Sequence, residues 1–188
     1  MLEFKNISND HIKDCFAATY AKFPTLQDHR ILLEQLPLKN YTMRAQPIVN
    51  SRFWRRSRRD YRVQISDHLQ LRNYVRIEEL STKELQGWFA HELGHVMDYQ
   101  RRSVLSLIRF LFSYLLIPNY RMGAERRADL FAIEHGFGTE LMATKNFILD
   151  KSTLPERYKK RIRRYYLSPT ELEELLVQQS EQLLAIQE

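Results

Sequence analysis

The sequence predicts an α+β fold that is predominantly α, with a small antiparallel sheet in the first half, a long helix after residue 80 and a helical C-terminal half. Three observations carry this. Residues 41–66 are rich in β-branched and aromatic side chains, and Tyr61, Val63 and Ile65 alternate with Arg62, Gln64 and Ser66, the period of a strand with one face buried. Ser81 followed by Glu84 is a capping-box start for an apolar-periodic run. Ser168-Pro169-Thr170-Glu171 repeats that signature with proline at the first helical position. At 188 residues the chain is long enough to form one domain, 1–188, around a real core.

Taken in order, the first 36 residues read as helical: Ile12, Phe16 and Tyr20 recur at helical spacing, Pro24 breaks the run, and Ile31, Leu32 and Leu36 precede Pro37. The segments "YTMRAQPIV" and "DYRVQIS" then read as strands. After the helix opened by Ser81, further helices are predicted near 104–116, 122–135, 139–149 and 155–166, punctuated by Pro118, Gly136, Gly138 and Pro155. No internal repeat or low-complexity segment interrupts the pattern.

Composition narrows the function classes. With 44% apolar and 28% charged residues the chain is globular rather than disordered. Cys15 is the only cysteine, which excludes an intramolecular disulfide and a thiolate-rich zinc site and fits a reducing compartment. The mixed start "MLEFKNISNDHIKDCF" is no secretory signal, so the expected location is the cytoplasm. The net charge of +6 attracts polyanions. "RFWRRSRRDYR" interleaves six arginines with Phe53, Trp54 and Tyr61, and "RYKKRIRRYY" follows at 157–166. A hairpin tip and a solvated helix face look the same, and acidic residues elsewhere offset the charge, so nucleic acid is not the expected partner.

The chemistry concentrates in "STKELQGWFAHELGHVMDYQ", where His91 and His95 are four apart with Glu92 directly after the first. On a helix, i and i+4 share a face, so the two imidazoles can converge on one ion. Glu92 lies about 100° around the axis, close enough to exchange a proton without occupying the ion. Leu85, Trp88, Phe89, Val96 and Met97 can anchor the helix, and Gly94 permits close approach of another backbone. A catalytic ion needs a third protein ligand. "MGAERRADLFAIEHG" offers one: Glu125 and Asp129 are four apart, beside Ala124, Ala128 and Ala132 on a small-residue face. Glu125 can bind the ion while Asp129 holds the far nitrogen of a ligating histidine. Alternatively, both carboxylates belong to an ordinary solvated Glu/Arg/Arg/Asp face.

The segments "STKELQGWFAHELGHV" and "AERRADLFAIEHG" resemble the two signatures of the gluzincin metallopeptidases, especially the group containing the heat-shock membrane protease and the prenyl-protein endopeptidase. The resemblance covers about a third of the chain. It implies a zincin-like core around an active-site helix, one zinc ion per chain held by His91, His95 and Glu125, Glu92 as general base, and Asp129 as the partner of a ligand. Metallopeptidases that cleave phage and mobile-element repressors share a similar pair of motifs. A metzincin would place glycine and a third ligand where this chain has Asp98 and Arg101, which removes that class; Asp98 is expected to pair with Arg101 or Arg102.

The expected activity is zinc-dependent endopeptidase cleavage of a peptide or protein substrate; the alternative is a non-catalytic basic zinc-binding adaptor for a protein or nucleic acid. If the strand containing Arg62, Val63, Gln64 and Ile65 is the sheet edge nearest the site, it can pair with substrate backbone. His135 either contacts substrate or ends its helix against carbonyls. The run at 104–116 is too short to cross a bilayer and contains Arg109. With Arg102, Ser106, Arg109 and Ser113 as a narrow polar stripe, it reads as buried in the core, packed in a homo-oligomer, or laid peripherally on a membrane.

Overall fold

The computed structural model describes residues 1–38, 41–67, 76–151 and 156–187. Strands β1 (Leu2–Lys5), β2 (Ile31–Gln35), β3 (Met43–Pro47) and β4 (Tyr61–Ile65) are interrupted by helix α1 (Asp10–Ala21), and helices α2 (Thr82–Gln100), α3 (Val104–Leu116), α4 (Pro118–Glu134), α5 (Gly138–Asn146), α6 (Glu156–Tyr165) and α7 (Pro169–Gln187) follow. The α+β class with a helical second half is as expected.

The sheet is mixed rather than antiparallel. Its order is β1-β2-β4-β3, with β1 and β4 both parallel to β2 and only β3 antiparallel to β4. The cause is the crossover helix: β1, α1 and β2 form a βαβ unit, which returns the chain parallel to its start. The segment from Ile31, expected as helix, is therefore an interior strand. Ile31 and Leu33 are fully buried on one face while Leu32 lies on the other, a period of two that so short an apolar run does not reveal. On the face opposite the helices, a registered polar row crosses all four strands. Lys5 Nζ donates to Glu34 Oε1 at 2.6 Å, Gln64 Nε2 to Glu34 Oε2 at 3.0 Å, and Arg44 Nε to Gln64 Oε1 at 2.7 Å.

The helices begin as their caps dictate. Ser81 Oγ accepts from the Glu84 N–H and Glu84 Oε2 from the Ser81 N–H; Ser168 and Glu171 repeat the exchange before α7. Helix α4 starts earlier than expected, at Pro118, whose fixed φ suits a first turn. Helix α5 ends at Asn146 and passes into a π-helical turn, Phe147–Lys151. Pro155 lies outside the described residues. One face of the sheet buries Tyr61, Val63 and Ile65 with Phe16 of α1 and Phe89 of α2, whose rings meet edge to face at 5.0 Å.

Two glycines set the spacing around α2. A Cβ on Gly94 would lie 2.4 Å from the Ala128 carbonyl oxygen of α4, and one on Gly87 would lie 2.2 Å from the Glu140 carbonyl oxygen of α5. Arg59, fully buried, ties the β3–β4 connection to the end of α2, donating to the carbonyls of Phe53, Tyr99 and Arg102 at 3.1, 3.2 and 3.1 Å.

Of the three placements open to residues 104–116, helix α3 removes burial in the core. It packs mainly on α4 and buries only Leu107 and Phe110 of its large aliphatic and phenyl side chains, leaving Leu105, Phe112 and Leu116 exposed at 76, 59 and 75%. Among the described residues no helix is long and apolar enough to cross a membrane.

Gly94→Ala forces α2 and α4 apart and is expected to destabilise the fold by about 1–3 kcal/mol, the usual cost of overpacking. Gly123→Ala, whose Cβ meets only the Arg127 guanidinium at 3.4 Å, should stabilise α4 by about 0.5–1 kcal/mol. Denaturant unfolding of both variants checks the opposite signs.

Candidate metal centre

Helix α2 presents His91 and His95 on one face, and the Gly94–Ala128 contact brings α4 near enough for Glu125 to reach between them. Glu125 Oε2 lies 3.2 Å from His91 Nε2 and 3.3 Å from His95 Nε2. One ligand atom from each of the three buried residues falls within 4.8 Å of the others, so the cluster could hold a metal ion. The small faces of Ala124, Ala128 and Ala132 are fully buried, and Asp129 is buried with them, which removes the solvated-face alternative.

The surroundings fix two of the three ligands, His91 and Glu125, while the buried His95 Nδ1 has no hydrogen-bond partner among the described residues. Asp129 Oδ1 accepts from His91 Nδ1 at 2.9 Å, leaving Nε2 to face the cluster. Asp129 Oδ2 accepts from Lys145 Nζ of α5 at 2.8 Å and from the Leu167 N–H, between α6 and α7, at 3.0 Å. Glu125 Oε1 accepts from the Tyr114 hydroxyl of α3. Electrostatics follow the geometry. Burial alone would lower the His91 pKa, but hydrogen bonds to Asp129 and Glu125 reverse that and push it up to about 10. Burial pulls Glu125 upward; His95 and His91 outweigh it and hold the carboxyl well below the usual range. Asp129 is also lowered, Lys145 and His91 overcoming its burial.

Glu92 goes the other way. Burial raises its pKa against the opposing pull of His95, His91 and the Ala45 backbone, and its Oε2 has no hydrogen-bond partner among the described residues. Two imidazole nitrogens and one carboxylate oxygen, beside an unpartnered buried carboxylate oxygen, suit a borderline divalent cation and a proton acceptor.

These residues open onto a cavity of about 670 Å³. One wall is β3, one of the two edge strands of the sheet. Ile48 and Asp60, and Thr42 and Ser66, are hydrogen-bonded across the β3–β4 ladder, so by alternation Arg44 and Gln46 direct their backbone groups at β4. The backbone groups of Met43 and Ala45 point away from the sheet, and both residues line the cavity.

The strand expected to receive substrate is therefore corrected. Segment Arg62 to Ile65 belongs to β4, paired on both sides. The Arg62 side chain lines the cavity, but Val63 and Ile65 are core residues and Gln64 is buried against Glu34. His135 lies outside the cavity lining: its Nδ1 donates to the Phe131 carbonyl at 2.7 Å and its ring stacks on Phe23. Asp98 pairs with Arg102 at 2.8 Å and Arg127 at 3.2 Å, away from the ligand set. Four residues had no sequence signal: Ala45, Tyr114, Lys145 and Arg161. The last sits in a basic run that reads as solvated, yet its guanidinium lines the cavity over the Tyr158 ring at 5.0 Å, with no carboxylate within ion-pair distance among the described residues. In comparison with known proteins, no protein family, curated protein or solved structure matches the chain.

Glu125→Gln should nearly eliminate tight metal binding, since a neutral amide replaces a charged oxygen. Asp129→Asn should weaken it by roughly 10–100-fold, as losses at a ligand's partner do. Exposed Glu134→Gln should leave it unchanged. Competition with a chromogenic chelator gives the order; equal losses at Glu125 and Glu134 would assign the effect to unfolding.

Proposed function

We propose that the protein is a zinc-dependent endopeptidase. The observation that carries this reading is the convergence of His91, His95 and Glu125 beside a Glu92 oxygen without a partner among the described residues, on a cavity walled by a sheet edge. Zinc is favoured over harder cations because two of the three ligand atoms are imidazole nitrogens. The likeness of the two motifs to the gluzincin signatures points the same way. Zinc held there supplies Lewis acidity, activating water and polarising a carbonyl.

The remaining work falls to the chain. The Met43 backbone and the Ala45 carbonyl offer outward groups of β3, which pair with an extended peptide as an added strand, while the Ala45 N–H faces Glu92. Glu92 accepts the proton of the attacking water and returns it to the leaving amine, a role suited to a carboxyl whose pKa burial has raised. Arg161, a cation facing the cavity, donates to a substrate oxygen. Tyr114 and Asp129 hold Glu125 and His91 so that neither turns away when substrate enters. The adaptor reading keeps the same ligands and lacks turnover.

Glu92→Gln should leave folding and zinc content intact and abolish hydrolysis of an unfolded protein such as casein. Zinc content is read by mass spectrometry and cleavage by gel. Undiminished cleavage by the variant removes Glu92 as the base, and a zinc-loaded wild type that cleaves nothing across a diverse peptide library selects the adaptor. Arg161→Ala should lower kcat/KM at least about tenfold, as loss of a charged hydrogen bond does, with zinc affinity unchanged.

A further inference from the structure

The sharpest anomaly outside the metal centre is a face that is both apolar and strongly cationic. Residues 41–59 contain six arginines and residues 99–124 contain four, with no Asp, Glu or Lys in either segment. The chain as a whole carries +6, so everything outside these two segments carries a net −4. The fold brings the segments together. Arg56 donates to the Arg101 carbonyl at 3.4 Å, and buried Arg59 donates to the carbonyls of Tyr99 and Arg102. Arg55, Arg58 and Arg109 are exposed and have no ion pair among the described residues.

The same face exposes large apolar side chains. With about 100° per residue, Leu105, Arg109, Phe112 and Leu116 share the outward side of α3, opposite Leu107, Phe110 and Tyr114. Trp54 and Val49, in the β3–β4 connection, are 71 and 79% exposed. Exposed apolar patches of this kind mark interaction surfaces.

We propose that α3 and the β3–β4 connection dock on the surface of an anionic lipid bilayer. Charge and apolarity together select this occupant. A second copy joined through the same face would set the exposed, unpaired Arg55, Arg58 and Arg109 against their own copies. A nucleic acid would satisfy the arginines but leave Leu105, Phe112 and Leu116 unmatched. An anionic bilayer supplies both partners: headgroups for the guanidinium groups and the acyl boundary for the apolar side chains. Arg109, in the middle of the stripe, reaches the headgroups along its own methylenes. At 13 residues α3 is about 20 Å long, short of the roughly 30 Å hydrocarbon core, so it lies in the interface rather than across it.

The orientation has a consequence for the cavity. Val49, Ile108, Leu111 and Leu115 belong both to this face and to the cavity lining, so the mouth opens beside the lipid. A chain entering it comes from the membrane surface. The docking itself does not depend on peptidase activity.

The test uses the full chain with vesicles of phosphatidylcholine alone, or of phosphatidylcholine and phosphatidylglycerol in equal parts. Co-sedimentation is expected only with the anionic vesicles and should weaken as salt is raised. Tryptophan emission should shift to the blue on binding, and Trp54→Phe should remove the shift because Trp88 is already buried. The double variants Leu105→Asp with Phe112→Asp, and Arg55→Glu with Arg58→Glu, lie outside the cavity lining and should each weaken binding at least about tenfold, while metal uptake and circular dichroism report intact folding. Absence of binding to anionic vesicles overturns the proposal, as does equal, salt-independent binding to both vesicle types or undiminished binding by folded variants. A concentration-dependent dimer that Leu105→Asp dissociates, without vesicle binding by the wild type, assigns the face to a second copy instead.

Discussion

The Asp129 carboxylate is the interaction around which the helical half is organised. It is fully buried, and its partners come from three other parts of the fold: His91 from α2, Lys145 from α5 and the Leu167 N–H between α6 and α7. A carboxylate taken out of water is costly unless its lone pairs are met, and here it accepts hydrogen bonds from an ammonium, an imidazole N–H and a backbone N–H. Lys145 is equally dependent, being only 3% exposed. Neither charge can stay buried alone, so the packing of α5 against α4 and the orientation of the His91 ring are one constraint.

Within the cavity, two carboxylates 33 positions apart in the sequence are shifted in opposite directions by environment. Glu125 is flanked by two imidazoles and a tyrosine hydroxyl, which favour its charged form and suit it to hold a cation. Glu92 is also buried, which moves its pKa up, and its Oε2 has no partner among the described residues. In the proposed peptidase, this difference would divide cation binding from proton transfer.

What was legible in the sequence was local. The Ser81 and Ser168 capping boxes, the shared face of His91 and His95, the close approach at Gly94 and the small face of α4 all follow from spacings of three and four, which helical geometry converts directly into contacts. What was illegible was pairing across long separations. Ile31–Gln35 carries too few residues to separate a strand from a helix, and nothing in Arg62–Ile65 says which neighbour it takes, so neither its interior place nor the edge position of β3 can be read from the sequence. Lys145 and Tyr114 each lie in helices whose patterns give no reason to single them out; their roles exist only once α3, α4 and α5 have packed.

Helix α3 joins the site to the surface. Its inward side carries Tyr114, which holds the Glu125 oxygen left free by the histidines, with Phe110 packed against Tyr99 beneath it. Its outward side carries the exposed leucines and Phe112. A side chain on a rigid helix moves only with the helix, and α3 has α4 as its main support. The proposed docking would press the outer face against lipid and thereby fix the position of Tyr114. The exposed apolar stripe, costly for a helix surrounded by water, and the hydrogen bond that steadies Glu125 are then two sides of one element: covering the first restrains the second.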